Sequence, residues 1–367
     1  MKLPILGELS PLSRTVVLAA LAASAASIAM QWLLGFSGTP IFVASAIGIL
    51  GLAYVIGLST ERLGSITGPQ VGAVLNATFG NIAELIIAAF ALAAGQLEVV
   101  KASITGSIIG NLLLVLGMSV LLGGVRHGIQ RFDAKMAGLD STLLVLAVVG
   151  LFIPAVFVAT SGTVAAQPGS AARTDESAVI ALVLLLLYFV NLLYRFRHAA
   201  ESPAAGPEID RAEPAWTARR AMLVLAIAAT LLAVLSEQLV AAIDPFIAAF
   251  ALTPFFVGVI IIPTIGNLAE QLVAVRLALA DRMEFAIAVA TGASLQIALF
   301  VAPVLVLLGL VVGRPMDLVF APLEVAAVAV AAGTAALVSL DGESNWLEGA
   351  LLLGVYVILA VSFYFFI

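Results

Sequence analysis

Cysteine is absent from the 367 residues, and histidine occurs only twice. A chain of this kind builds no disulfide framework, no thiolate metal site, no iron–sulfur cluster and no cysteine nucleophile, and histidine chemistry is confined to two positions. Charge is scarce as well. The 16 Lys and Arg and 22 Asp and Glu make up 10% of the residues, against about 25% in a soluble domain, too few to cover the water-facing surface of a globule of this size. Apolar residues take their place: 63% of the chain is hydrophobic and the mean hydropathy is +1.19, values of a protein whose main solvent is lipid. The net charge of -6, with no basic run, gives no reason to expect a nucleic-acid partner.

A membrane span needs about 20 apolar residues. Cutting the chain where charge, Pro or Gly clusters interrupt the apolar runs predicts eleven, near 15–34, 39–60, 69–94, 102–124, 137–159, 177–195, 220–242, 253–279, 284–312, 321–339 and 347–366. No alternating barrel pattern appears, so the spans are helices and the fold class is an all-α polytopic membrane protein. The first apolar stretch runs on to Phe36, longer than a usual signal peptide, and reads as an uncleaved span. Lys and Arg then orient the chain. One side receives Lys2, Arg14, Arg62, Arg126, Arg131, Lys135, Arg195, Arg197, Arg211, Arg219, Arg220, Arg276 and Arg282, while the other receives Lys101, Arg173 and Arg314. The N-terminus is expected in the cytoplasm and the C-terminus outside. Short loops and a short N-terminal segment suggest a prokaryotic plasma membrane.

The polar stretch around 198–218 divides the chain. Gly80-Asn81-Ile82-Ala83-Glu84 in the third span recurs as Gly266-Asn267-Leu268-Ala269-Glu270 in the eighth, 186 residues on. Glu61 and Glu237 match, as do Asn111 and Gln296. The expected organisation is a lone N-terminal helix (1–38), a first five-helix repeat (39–197), a cytoplasmic linker (198–218) and a second repeat (219–367) of inverted topology. Inverted repeats with a site at their interface mark secondary transporters.

Glu84 and Glu270 are expected near the centres of their spans, where an ionised carboxylate costs several kcal/mol unless protonated or paired. No Lys or Arg is placed deep enough to pair with them, which leaves protons or a cation. In each motif the Gly and Asn share roughly one helix face with the Glu. Pro263 and Gly266 are expected to interrupt the eighth span and free its carbonyls, with Pro69, Gly72 and Gly80 doing so less strongly in the third. Two carboxylates, two amides and freed carbonyls form an all-oxygen nest of the kind Ca²⁺ takes, with about 6–8 ligands. Such a site carries two negative charges when empty and is neutral with one Ca²⁺ or two protons. If it reorients only when neutral, it exchanges one for the other.

Other polar residues surround this pair. Ser103, Ser107 and Asn111 share a face of the fourth span, and Thr291, Ser294 and Gln296 lie on the ninth. Asn111 and Gln296 are candidate ligands, Ser107 and Ser294 supporting groups. Asn76 is placed to bind the ion or cap a break, and Glu61 and Glu237 suit ion access on opposite faces of the membrane.

At these residues the sequence resembles the Ca²⁺/H⁺ antiporter branch of the calcium/cation exchanger superfamily, often called the cation/proton exchanger family. The resemblance covers spans two to eleven. It rests on 75–84 (LNATFGNIAE), 111–117 (NLLLVLG), 266–270 (GNLAE), 296–303 (QIALFVAP) and 341–349 (DGESNWLEG). Sister Na⁺/Ca²⁺ exchangers typically carry Gly-Thr-Ser-x-Pro-Glu in place of Gly-Asn-x-x-Glu. The resemblance implies that Glu84 and Glu270 alternately bind Ca²⁺ and protons, supported by Asn81, Asn267, Asn111 and Gln296, and that helices flanking the core open it to each side. Two departures stand out. Gln271 follows the second Glu where many members have His, and the linker holds only Glu201, Glu208, Asp210 and Glu213, so a regulatory Ca²⁺ role is not expected there.

The expected function is thus exchange of Ca²⁺ for H⁺ by alternating access in a lipid bilayer, without cofactor or catalytic residues. Na⁺ as counter-ion, or Mn²⁺ as substrate, is the nearest alternative. An intramembrane enzyme is disfavoured because the spans lack HExxH, GxGD and any nucleophile–base pair, and a passive channel would lack counter-transport. The sequence is compatible with a homo-oligomer.

Overall fold

The computed structural model describes residues 11–68, 75, 78–161, 167, 169–198 and 216–365. Its rods are α1 (Pro11–Trp32), α2 (Thr39–Thr67), α3 (Ile82–Ala93), α4 (Leu97–His127), α5 (Ala134–Ser161), α6 (Ala171–His198), α7 (Ala218–Ala241) and α8 (Ile243–Phe250). There follow α9 (Ile262–Leu279), entered through a short helix Pro254–Phe256, then α10 (Met283–Val311), α11 (Pro322–Val338) and α12 (Trp346–Phe365). Eight of the described helices are long and apolar enough to cross a bilayer, or nine if Ile243–Phe250 and Pro254–Leu268 count as one span. The shorter apolar helices Ile82–Ala93 and Pro322–Val338 fall where the sequence predicts its third and tenth spans.

Local chemistry sets the ends. Thr217 and Thr253 accept from the backbone N–H groups of Arg220 and Phe256, three residues on, satisfying donors that a helix start leaves idle. Pro lies in the first turn after Gly38, Thr253 and Ala321. Gly128 ends α4 at φ 80, where a side chain would be strained. Along α6, Leu182, Leu186, Phe189 and Leu193 form one exposed stripe while Ala181, Leu184 and Tyr188 are buried; the exposed stripe is the face suited to lipid.

The chain forms two compact units, and each draws on both halves of the sequence. One takes the segments up to Phe90 and Val190–Ala251, the other Ala91–Phe189 and the segment from Leu252 onward.

In the first unit α2 runs antiparallel to α7. Gly48 faces Leu235, and near one end of the pair Ser45 and Gln238 both bond Ser27 of α1. Ser27 donates to Gln238 Oε1 at 2.7 Å, and its oxygen lies 2.8 Å from that of Ser45. Gly51 leaves room for Ala20, so α1 lies close against α2. Phe42 stacks on Phe246 of α8 at 4.0 Å.

In the second unit α4 is the central rod. It runs parallel to the segment 257–267: Gly258 lies 2.9 Å from the Val99 carbonyl, measured from the Cβ it lacks, and Gly106 faces Val259 and Pro263. It runs antiparallel to α12, where Gly117 faces Leu352, and Gly349 faces Leu121. Small residues at these crossings let backbones approach, as is usual between membrane helices. At one end of this unit Gln130 and Arg131 pair with Ser344 and Glu343 in a two-residue antiparallel ladder, while Gln130 and His127 reach the turn after α9 through Asp281 and Leu279. At the other end Asp317 takes salt bridges from Lys101 and from Arg173, the latter at 2.8 Å. Two of the three basic residues assigned to the poorly charged side of the membrane therefore converge on one acid.

Among the described residues three π-helical turns interrupt the long rods, at Gly110–Val115, Val257–Ile261 and Ile297–Val301. The break expected in the eighth span lies at Val257–Ile261, in the turn just before Pro263. Proline has no N–H to donate and disturbs only the turn on its N-terminal side. By contrast, Gly266 lies within the α-helical run Ile262–Leu279.

Candidate ion-binding site

The second motif sits on α9 against α4. Asn267 is 1% exposed and donates from Nδ2 to Ser107 Oγ at 3.1 Å. Its Oδ1 is buried and meets no hydrogen-bond donor among the described residues. Asn111, also 1% exposed, has a buried Nδ2 without an acceptor among them. A buried amide group left this way costs about 1–3 kcal/mol, so such groups call for a physical explanation. Because the helices run in the same direction, four residues beyond Ser107 and three beyond Asn267 bring Asn111 and Glu270 to similar levels, about 6 and 4.5 Å further along. Glu270 is half-buried on the same face as Asn267.

The ninth span contributes from the third side. Ser294 is fully buried, bonds the Ala290 carbonyl at 3.0 Å and lies 3.5 Å from the Ile108 carbonyl of α4. Gln296 is half-buried and immediately precedes a π turn, while Asn111 lies within another. Turns of this type are frequent at functional sites. Ser103 is occupied with the Val100 carbonyl, and Gly266 is buried within α9.

The first motif is built differently. Gly80 and Asn81 form a turn, Leu85 N donates to Asn81 O at 3.1 Å, and α3 begins at Ile82. Glu84, expected near a span centre, therefore lies in the first turn of a helix, three residues after its capping residue. Asn-x-x-Glu here has the spacing of a capping box, and the positive end of the helix dipole favours the carboxylate. Asn81 and Glu84 are buried, and Glu84 Oε2 has no hydrogen-bond partner among the described residues. The same five-letter motif thus occupies a helix start in one copy and a helix interior in the other.

The structure brings Asn267, Ser107, Asn111, Glu270, Ser294 and Gln296 onto adjoining helices of the second unit. Asn81 and Glu84 belong to the first unit, as do Glu61 and Glu237, both exposed. Glu237 adjoins Gln238 at the end where Ser45 bonds Ser27, and Glu61 lies 16 residues beyond Ser45 along α2, about 24 Å away along the axis. Asn76 lies outside the described residues. Asn267 Oδ1 and the Glu270 carboxylate are hard oxygens, suited to Ca²⁺ rather than to a soft metal, whereas the atom left unpartnered on Asn111 is a nitrogen. Among the described residues no cluster of three or more His, Asp or Glu forms a separate metal centre.

Sequence reasoning passed over two buried acids, Asp140 and Glu324, because both stand at predicted span ends where carboxylates are usually solvated. It also missed the Ser27–Gln238 bond. The signal for the acids was present in their partners: Thr105 and Thr291 are separated by the same 186 residues as the two Gly-Asn motifs.

Comparisons with known proteins place the whole chain in a family. The family described as sodium/calcium exchanger protein matches residues 37–197 and 220–365. The chain is 41% identical over 355 residues to the Ca²⁺/H⁺ antiporter of Synechocystis sp., spanning 92% of this chain and 94% of that one. It is 39% identical over 328 residues to the Ca²⁺/H⁺ antiporter ChaA of Bacillus subtilis, spanning 88% and 92%. Among solved structures, native YfkE superposes with a TM-score of 0.81 at 35% identity, over 96% of this chain and all of that one. The H⁺/Ca²⁺ exchanger CAX superposes at 0.75 over 96% and 92% of the two chains, with 13% identity, and so speaks for the fold alone. Matched over most of its length by the family and by these relatives, the chain belongs to the sodium/calcium exchanger protein family.

Proposed function

We propose that this chain is an integral membrane antiporter exchanging Ca²⁺ for H⁺, in keeping with the names of its relatives at about 40% identity. The observation that carries the site reading is the Asn267 amide, pinned by Ser107 through its nitrogen with its oxygen left to accept, one turn from Glu270. Glu84 and Glu270 supply the charge, Asn81, Asn267, Asn111 and Gln296 the neutral ligands, and Ser107 and Ser294 hold the helices that present them. Neutrality of the site with one Ca²⁺ or two protons makes the two cargoes alternatives, and an empty site with two negative charges resists reorientation in a low dielectric. Glu61 and Glu237 serve ion access at opposite ends.

The reading includes eleven spans, with a lone first helix and two five-helix repeats of opposite topology, and a cytoplasmic N-terminus. It is supported by the antiparallel pairing of α2 with α7, the leading helices of the two halves. The π turns of α4 and α10 at corresponding positions support it too. So does the gathering of alternate loops at opposite ends of the second unit.

The test is Ca²⁺ uptake into Na⁺-free proteoliposomes after an imposed pH jump. Uptake in the wild type, lost in Glu84→Gln and in Glu270→Gln, is expected. Flux that appears only when Na⁺ is added would transfer the counter-ion role to Na⁺, and full uptake in both variants would remove the carboxylates from the mechanism.

A further inference from the structure

Two buried carboxylates play no part in the site described above. Glu324, at the start of α11, accepts from Thr105 Oγ1 at 3.0 Å through Oε1 and from the Ala321 backbone N–H at 2.8 Å through Oε2. Asp140, near the start of α5, lies with Oδ2 3.4 Å from Thr291 Oγ1, whose single proton it shares with the nearer Ile287 carbonyl at 2.9 Å. All four side chains are at most 5% exposed. The threonines occupy corresponding places on α4 and α10, 186 residues apart, and each faces a carboxylate from the helix following the equivalent rod of the other half of the chain. A small cavity beside the first pair is lined by Thr105, Glu324, Val148, Leu151 and Phe320.

The threonines share their helices with the candidate ligands. Thr105 is two residues before Ser107 and six before Asn111, and Thr291 is three before Ser294 and five before Gln296. The hydrogen bonds within a rod fix its own winding but not its rotation or depth against its neighbours, and a π turn changes the face its later residues present. The rod's packing partners must fix these, and hydrogen bonds to a carboxylate are the strong and directional ones.

We propose that Thr105–Glu324 and Thr291–Asp140 are positioning pairs that set the rotation and depth of α4 and α10, and thereby the placement of Asn111 and Gln296 toward the Ca²⁺. The inference rests on the antiport reading of that site. The two pairs are unequal. Thr105 spends its hydroxyl on Glu324 alone among the described residues, whereas Thr291 holds its own helix carbonyl more closely than it holds Asp140. The Thr105 pair is therefore the stiffer restraint.

The experiment measures half-saturating Ca²⁺ and maximal rate of pH-driven uptake in Na⁺-free proteoliposomes, beside the thermal unfolding midpoint in detergent. Thr105→Val keeps shape and removes the hydroxyl. It is expected to raise half-saturating Ca²⁺ about 10-fold, the usual cost of losing an outer-shell partner of a metal site, with maximal rate little changed. Thr105→Ser restores the value, and Thr291→Val gives a smaller rise. Glu324→Gln keeps the shape but replaces the charge-assisted bonds to Thr105 and the Ala321 N–H with weaker neutral ones; it is the second variant if the valine protein does not fold, and a smaller rise is expected there. A lower unfolding midpoint with unchanged half-saturating Ca²⁺ in these variants overturns the inference while the antiport reading stands. Wild-type protein that shows no pH-driven uptake overturns the antiport reading itself and the inference with it.

Discussion

The amide nitrogen of Asn267 donates to the hydroxyl of Ser107 across two parallel helices at 3.1 Å, with both groups out of reach of solvent. This one bond fixes which way the amide faces: with the nitrogen held by α4, the oxygen is the atom left for a ligand. A serine with no acid–base role of its own thereby presents an acceptor rather than a donor at the candidate site.

Removing that hydroxyl frees the amide to turn over. Ser107→Ala is expected to cost about 1 kcal/mol of stability and about 10-fold in apparent Ca²⁺ affinity. The two effects separate cleanly, one read by thermal unfolding and the other by half-saturation of uptake. A cycle with Asn267→Ala should show strong coupling between the two positions.

Close approach of α4 to the turn before α9 depends on Gly106 and Gly258. An added Cβ at Gly258 would stand 2.6 Å from the Ala102 methyl and 2.9 Å from the Val99 carbonyl. Gly258→Ala is therefore expected to lose about 1–3 kcal/mol, seen as a lower unfolding midpoint. The helices must separate to admit the methyl, so the Ser107–Asn267 bond should lengthen and Ca²⁺ affinity fall with it.

Asp317 holds Lys101 and Arg173 together, with side chains 10–17% exposed. Asp317→Asn leaves two largely buried cations without their carboxylate. A loss of about 2–4 kcal/mol is expected, at or just below the range for breaking a buried pair because some solvent reaches this one. Differential scanning in detergent checks it. The exposed Arg131–Glu343 pair gives the contrast: Glu343→Gln should cost below about 1 kcal/mol.

Ser27 serves two partners at once, Gln238 and Ser45. Ser27→Ala should destabilise by about 1–3 kcal/mol, because the buried Gln238 Oε1 loses its donor. Thermal unfolding of Ser27→Ala beside Ser45→Ala tests this ordering: the Ser45 variant leaves the shorter bond intact and should lose less.

Much of this was legible in the sequence, for identifiable reasons. Helical spans follow from the cost of unsatisfied backbone in lipid, and the candidate ligands were singled out because polar groups are rare in such a chain. The bond between Asn267 and Ser107 was not legible, since it joins residues 160 apart through a helix crossing set by glycines. The π turns escaped because local composition does not distinguish one extra residue in a turn. The unlike settings of Glu84 and Glu270 escaped for a related reason: the same letters cap a helix when the preceding residues turn and ride inside one when they do not. Asp140 and Glu324 were misjudged by position, because span ends were treated as wet.

The π turn that follows Gln296 gives its span one residue more than an unbroken α-helix would use to cover the same length. Each α-helical residue advances the side chains by about 100°, so the halves of the rod before and after the turn are out of phase by roughly that amount. Deleting one residue there would restore an unbroken α-helix of the same length with the outer half facing as before, whereas straightening the turn with the sequence kept would swing that half to a new face. In this protein the phase of a helix is as much a part of the candidate site as the identity of the residues on it.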